Sequence, residues 1–232
     1  MADKKDKWLP LEANPEVMNK YVSNLGMVMS YQFHDVFGLD PDLLCMLPQP
    51  CIALLLLFPI NKNVRESESK EKERIEKDGQ LVSPSVYFVK QTIGNACGTI
   101  GLLHAIGNCQ DKISFKDGFL KTFFEKTQSL TPKQRADYLE EDDSISEAHE
   151  ASAQEGDTAP PAPEEDVNLH FISIVHKDGC VYELDGRKDY PINHGKSTTD
   201  TFLVDAAKVC KSFMDRDPTE LHFTVVALVA AD

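Results

Sequence analysis

Four residues of this 232-residue chain have the types and spacing that acyl transfer needs. Cys97 lies in the stretch 90–108, KQTIGNACGTIGLLHAIGN, where Ile100, Leu103 and Ile106 recur at the spacing of a helix with one buried side. Asn95 is a good N-cap residue, so the pattern predicts Cys97 in the first turn. Free backbone N–H groups and the positive end of the helix dipole lie there, and both favour thiolate over thiol. A cysteine on such a helix is more often inert packing. Here Gly98 clears space beside the sulfur, and Gln91 precedes it by one extended stretch. A Gln amide is a neutral donor suited to holding an oxyanion. Cys97 is a candidate nucleophile, and Gln91 its candidate oxyanion donor.

A base and its orienter come from a second stretch. Residues 167–175 (VNLHFISIV) read as a strand apolar on both faces, and 180–186 (CVYELDG) as its antiparallel return. Between them Asp178-Gly179 is a two-residue hairpin signal. Pairing across that turn sets Lys177 opposite Cys180, Val175 opposite Tyr182 and Ile172 opposite Asp185. His170 then shares a face with Asp185 as its diagonal neighbour, roughly 7 Å away between backbones and within reach of an imidazole–carboxylate hydrogen bond. A three-residue loop would reverse the parity. A strand histidine is commonly a satisfied core residue, and an aspartate beside a turn glycine is commonly a turn acid. Sharing a face, with a helix-capped cysteine elsewhere, they make the nucleophile, base and orienter set of a cysteine hydrolase. His34, His104, His149, His176, His194 and His222 show no comparable carboxylate relation.

These residues need elements to position them. Residues 8–12 read as extended. Asn14 caps a helix with Pro15 at its first position, ended by Gly26. A short strand is predicted within 31–39 and a single helical turn from Asp40-Pro41 through Leu44. The apolar run 51–60 (CIALLLLFPI) is predicted to be a strand in the middle of a sheet. Residues 61–80 read either as an exposed helix, with Glu66/Lys70, Glu68/Lys72 and Glu73/Lys77 four apart, or as a mobile charged loop, and carry no assigned chemistry. Residues 86–90 are extended and feed the Cys97 helix, where Gly98, Gly101 and Ala105 form a small-residue stripe for close approach. Helices follow over about 117–126 and after Thr131-Pro132, then acid-rich sequence to His149. Residues 152–166 (SAQEGDTAPPAPEED) have loop composition. Residues 197–199 offer caps for a helix over about 200–215 with Leu203, Ala207, Cys210 and Met214 on its apolar stripe. Residues 222–229 (HFTVVALV) close the sheet. Too little chain follows 166 to build a second core, so a single domain, 1–232, is predicted.

Composition sets the outer bounds. The six cysteines show no CxxC and no zinc-like pairing with histidine, and the longest apolar run is too short to span a bilayer. No signal peptide is visible at the start (MADKKDK), so scattered thiols point to a reducing, cytoplasmic setting. The net charge is −14. Twelve acids and no Lys or Arg fall between Ala136 and His176, leaving −14 + 12 = −2 for the rest. Such a chain is a poor partner for nucleic acid and a good one for a basic protein tail.

The motifs WLPLEANPEV, VYFVKQTIGNACGTIGLLHAIGN, NLHFISIVH, YELDGRKDYPINHG and RDPTELHF resemble the ubiquitin carboxyl-terminal hydrolase family, and most of all its small single-domain L-type isozymes. The resemblance covers nearly the whole chain. It implies an α+β fold: a central antiparallel sheet flanked by helices, a papain-like cysteine protease core, a knotted backbone, and a crossover loop at about 146–166 over the active site. It implies Gln91 as oxyanion donor, Cys97 as nucleophile, His170 as general base and acid, and Asp185 as orienter, without cofactor or metal. Pro10, Leu11, Glu12, Asp35, Leu169, Arg216 and Glu220 match positions that contact ubiquitin in the family. The expected activity is release of small adducts and short peptide extensions from the C-terminal glycine of ubiquitin by a monomer that binds neither nucleic acid nor membrane. A ubiquitin-binding protein without turnover, and a hydrolase for a ubiquitin-like modifier, are the alternatives. The crossing segment is unusually rich in proline, at Pro160, Pro161 and Pro163.

Overall fold

The computed structural model describes residues 7–158, 161 and 167–231. The chain order is α1 (Pro15–Asn24), β1 (Tyr31–Asp35), α2 (Pro41–Leu44), β2 (Cys51–Pro59), α3 (Lys62–Asp78), α4 (Cys97–Asn108), α5 (Phe119–Thr127), α6 (Pro132–Glu140) and α7 (Asp143–Ala153). There follow β3 (Leu169–Lys177), β4 (Cys180–Leu184), β5 (Ile192–Lys196), α8 (Phe202–Met214) and β6 (Thr224–Ala230). The strands form one sheet in the order β1-β6-β2-β3-β4-β5, and every pairing is antiparallel.

β2 is apolar throughout because both its faces are covered. Leu54, Leu56 and Phe58 pack with Ile172, Ile174 and the α8 residues Phe202, Ala206 and Phe213. Ala53 and Leu55 join the opposite core, with Ile100, Leu103 and Ile106 of α4 and with α1. Each fully buried leucine contributes about 1.5–3 kcal/mol. The hairpin from β3 to β4 has the expected register, Val175 opposite Tyr182 and Lys177 opposite Cys180. Its turn residues Asp178 and Gly179 have φ of 46° and 76°, the left-handed pair that a two-residue turn requires.

The segment 86–90 is extended but has no strand partner. Side chains of α4 satisfy its backbone instead. Tyr87 N–H donates to Asn108 Oδ1 at 2.8 Å, Asn108 Nδ2 donates to Tyr87 O at 2.8 Å, and Val89 N–H donates to His104 Nε2 at 3.0 Å. Two buried polar side chains thus fix the approach to Gln91 against the helix that begins with Cys97.

Several local expectations are corrected. Asn95 does not cap α4: it sits at φ 59°, and its side-chain amide donates to Trp8 O at 3.0 Å, leaving Ala96 at the cap position. Lys62–Asp78 is helical, with Glu68 paired to Arg187 and Glu71 to Lys188, and the predicted pairs give way to Lys62–Glu66 and Lys72–Glu76. The acid-rich stretch holds α7, capped by Asp142, which takes the first residues of the expected crossover loop into a helix. Of the rest of that loop, 159, 160 and 162–166 lie outside the described residues, Pro160 and Pro163 among them. At α8 no side chain caps the helix; Ser197, Thr198 and Thr201 bond to one another, and Leu203 and Met214 are only partly buried.

Candidate active site

α4 lies along β3. Ser173 Oγ donates to Gly101 O at 2.5 Å, and Gly101 faces Leu55 and Phe171 with no side chain between. The first residue of α4, Cys97, therefore arrives at the start of β3, where its thiol is within hydrogen-bonding reach of His170. His170 Nε2–H donates to Asp185 Oδ1 at 2.7 Å, which leaves Nδ1 for the sulfur. Phe58, opposite His170 in the ladder, meets the imidazole edge-on with ring centres 5.9 Å apart. Burial alone would lower the His170 pKa. The hydrogen bonds and charges of Asp185 and Cys97 outweigh it and hold the proton up to about 9. Burial likewise works against the Asp185 carboxylate, but His170 and then Arg187 keep it well below the usual carboxylate range. Arg187 donates its backbone N–H to Asp185 Oδ1 and Nη2 to Oδ2, both at 2.9 Å, and Nη2 also reaches Glu68 Oε1 at 2.9 Å.

Gln91 is stitched to the loop that carries Asp185. Its backbone N–H donates to Gly186 O at 2.9 Å, and a Cβ on Gly186 would lie 2.8 Å from Ile100 and 2.9 Å from Gln91 Cβ. Only glycine allows this approach. Lys90 Nζ adds a bond to Lys188 O at 2.6 Å. The Gln91 amide gives one N–H to Ile93 O at 3.1 Å and keeps a second for a ligand, while its Oε1 is buried without a partner.

All six cysteines are free. Burial pushes the Cys51 and Cys109 thiols up to about 12, and Cys210 higher still, so these three are held protonated. Cys97 is the thiol that meets an imidazole.

The remaining site residues fall in two places. Pro10 and Glu12 flank Leu11, which packs on Gly98 in the first turn of α4, and Leu169 precedes His170 at the start of β3. Leu11 is 4% exposed and packed so close to Gly98 that a Cβ there would lie 2.8 Å from Leu11 Cβ. Glu12 accepts from Thr158 N–H at 3.2 Å and Thr158 Oγ1 at 3.1 Å. Asp35 lines a cleft of about 520 Å³ with Phe37, Met214 and Phe223. Arg216 and Glu220 lie between α8 and β6; the Arg216 guanidinium sits 3.6 Å over the Phe213 ring, and Glu220 accepts from the His222 ring at 2.5 Å. His222, and His194 bonded to Glu183 at 2.8 Å, do meet carboxylates, contrary to the sequence reading. Glu71, Glu183 and His194 have the proximity of metal ligands, but the Lys188 ammonium lies 2.6 Å from both carboxylates and fills that place. Arg187, Phe58 and Lys90 were missed in the sequence. Arg187, two residues past Asp185, was open to the turn argument; the other two depend on tertiary contacts.

A thiol, an imidazole and a carboxylate in sequence on one buried line define a cysteine hydrolase. The family model for "Ubiquitin carboxyl-terminal hydrolase, family 1" matches residues 8–215. The human ubiquitin carboxyl-terminal hydrolase isozyme L1 is 48% identical over 96% of this chain and 98% of its own. The Aplysia californica ubiquitin carboxyl-terminal hydrolase is 50% identical over 91% and 97%. The catalytic domain of Trichinella spiralis UCH37, solved bound to ubiquitin vinyl methyl ester, superposes with a TM-score of 0.75 at 24% identity over 97% of this chain and 96% of that one. The chain belongs to ubiquitin carboxyl-terminal hydrolase family 1, the thiol-dependent deubiquitinating hydrolases, and has the papain-like α+β fold of that family. Among the described residues no helix is long and apolar enough to cross a membrane.

Proposed function

We propose that this chain releases small adducts and short peptide extensions from the C-terminal glycine of ubiquitin, through a thioester on Cys97. The observation that carries the reading is the Cys97–His170–Asp185 line, with the His170 proton held up to about 9. Cys97 attacks the glycine carbonyl carbon and a C–S bond forms. The Cys97 backbone N–H and the second Gln91 N–H take the oxyanion. His170 gives its proton to the leaving amine or thiol as that bond breaks. It then takes a proton from water, whose oxygen attacks the thioester and frees Cys97 and the ubiquitin carboxylate. Asp185 holds the imidazole with Nδ1 toward the sulfur.

Ubiquitin is the proposed partner, with the arginines of its tail drawn to the acid-rich sequence between Ala136 and His176. Leu169, Pro10 and Glu12 are read as contacts near the scissile bond. Asp35, Arg216 and Glu220 are read as contacts farther out, where Phe37 and Leu221 are 86% and 84% exposed and offer apolar surface. A cytoplasmic monomer is the working state. The test is hydrolysis of ubiquitin bearing a C-terminal fluorogenic amide, beside the same leaving group on ubiquitin-like modifiers. Cleavage of the ubiquitin adduct by the wild type, lost in Cys97→Ala with ubiquitin affinity retained, is the expected result. Preferential cleavage of another modifier, or multiple turnover by Cys97→Ala, would overturn it.

A further inference from the structure

His104 lies two turns past Cys97 on α4, has no exposed surface and takes no part in the chemistry above. Its Nε2 lies 3.0 Å from both the backbone nitrogen and the carbonyl oxygen of Val89. Which of the two it bonds depends on where the ring carries its proton. The Leu184 carbonyl also draws on the ring, too loosely for a full hydrogen bond to the buried Nδ1. A carbonyl can only accept, so Leu184 favours the proton on Nδ1. Nε2 is then the acceptor, and Val89 N–H donates to it. Burial lowers the His104 pKa to about 4, so the ring stays neutral and keeps this acceptor at neutral pH. Phe88 stacks on the imidazole, with ring centres 5.0 Å apart and planes 14° from parallel.

The bond matters because the segment leading to Gln91 has no strand partner. Asn108 brackets Tyr87, and Arg135 Nη1 donates to Phe88 O at 2.9 Å. Beyond Val89, Lys90 N–H reaches Pro132 O at 3.2 Å and Gln91 N–H reaches Gly186 O at 2.9 Å. Neither of those acceptors belongs to α4. The Gly186 bond sets Gln91 against the loop of Asp185. The His104 bond, two residues before Gln91, sets it against the helix that carries the nucleophile. Oxyanion binding needs the Gln91 amide and the Cys97 backbone N–H to converge on one oxygen. An error of an ångström between them is costly.

We propose that His104 is a positioning residue for the oxyanion donor: by holding Val89 to the nucleophile's own helix, it sets the Gln91 amide relative to Cys97. This rests on the ubiquitin hydrolase reading above. The experiment uses the full chain with His104→Leu and His104→Gln, each also combined with Gln91→Ala. One readout is kcat and KM on ubiquitin bearing a fluorogenic C-terminal amide. The other is the rate at which iodoacetamide alkylates Cys97, assigned by peptide mapping. His104→Leu removes the acceptor, so kcat should fall about tenfold or more while KM stays within about twofold. Alkylation develops no oxyanion and should stay within about twofold. His104→Gln, whose side-chain oxygen can stand where Nε2 stood, should recover most of kcat. In the Gln91→Ala background His104→Leu should cost little further, because the donor it positions is gone. The same loss of kcat with and without Gln91 would overturn the proposal. A parallel fall in kcat and alkylation would also overturn it, by marking general damage to the site. If His104→Leu does not fold, His104→Asn, too short to reach Val89, decides by the same cycle. A wild type that cleaves no ubiquitin amide would remove the hydrolase reading and this role with it. An active wild type with an additive cycle would remove the role alone.

Discussion

His170 Nε2 lies 2.7 Å from Asp185 Oδ1, joining residues fifteen apart in the chain across a single two-residue turn. The bond sets which imidazole nitrogen faces the sulfur, and with Cys97 it overcomes the effect of burial on the His170 proton.

Asp185→Asn should therefore lower kcat by about a thousandfold or more while KM changes little, because the imidazole loses its orientation. It also has a pH signature. Asp185 helps hold the His170 proton up to about 9, so its removal should shift the alkaline limb of kcat/KM to lower pH. Steady-state profiles of the two proteins check both, and an unmoved limb would assign the orienting role to another group.

His149 sets a second pH dependence, in stability. Burial lowers it to about 4, against the Leu9 carbonyl that favours its charged form. A histidine with a depressed folded pKa stabilises the fold above its unfolded value, about 6.5, and loses that contribution as pH falls toward 4. Denaturant unfolding should show a loss of stability between those values that is smaller in His149→Gln. The same slope in both proteins would contradict the assignment.

The His170–Asp185 pairing was legible because it rests on local sequence. Asp178-Gly179 can form a two-residue turn, and that fixes the parity placing His170 and Asp185 on one face. α7 was not legible, since its acids give no apolar stripe and its anchor, His149, finds partners in Leu9 and Thr99 that lie far off in sequence. Asn95 misled for a related reason. Asparagine suits both an N-cap and a left-handed backbone, and here the second use prevails because its amide reaches Trp8. In α3 the predicted Glu68/Lys72 pair gives way because Arg187 takes Glu68, and the i,i+4 pairs that form are Lys62–Glu66 and Lys72–Glu76.

Charge should act at long range. With twelve acids between Ala136 and His176, association with a basic tail should weaken as salt rises, seen as a fall in kcat/KM from low to physiological ionic strength. A flat profile would remove the acid run from the encounter.

Leaving-group size should be limited more tightly than sequence alone suggested. The whole stretch 146–166 has an extended contour of about 70 Å, enough as a closed ring for an opening near 22 Å. With α7 running to Ala153, thirteen residues, 154–166, remain. Their contour is about 45 Å, which closes to about 14 Å. A folded domain of ubiquitin's size, about 29 Å across, would not pass; an unfolded peptide would. Gly156 is a poor place to lengthen the segment, because it packs on Glu12. A flexible Gly/Ser insertion after Thr158 should extend cleavage to larger fusions with small-adduct turnover kept. Equal rates on large folded and small adducts by the wild type would contradict the account.

The central claim is that Cys97, paired with His170, attacks the C-terminal carbonyl of ubiquitin. Its most direct measurement is reaction with ubiquitin carrying an electrophile at its C-terminus, followed by peptide mapping of the adduct. The account predicts one ubiquitin per chain, attached at Cys97, and no adduct with Cys97→Ala. Attachment at the exposed Cys45 or at Cys180, or no adduct with the wild type, would contradict it.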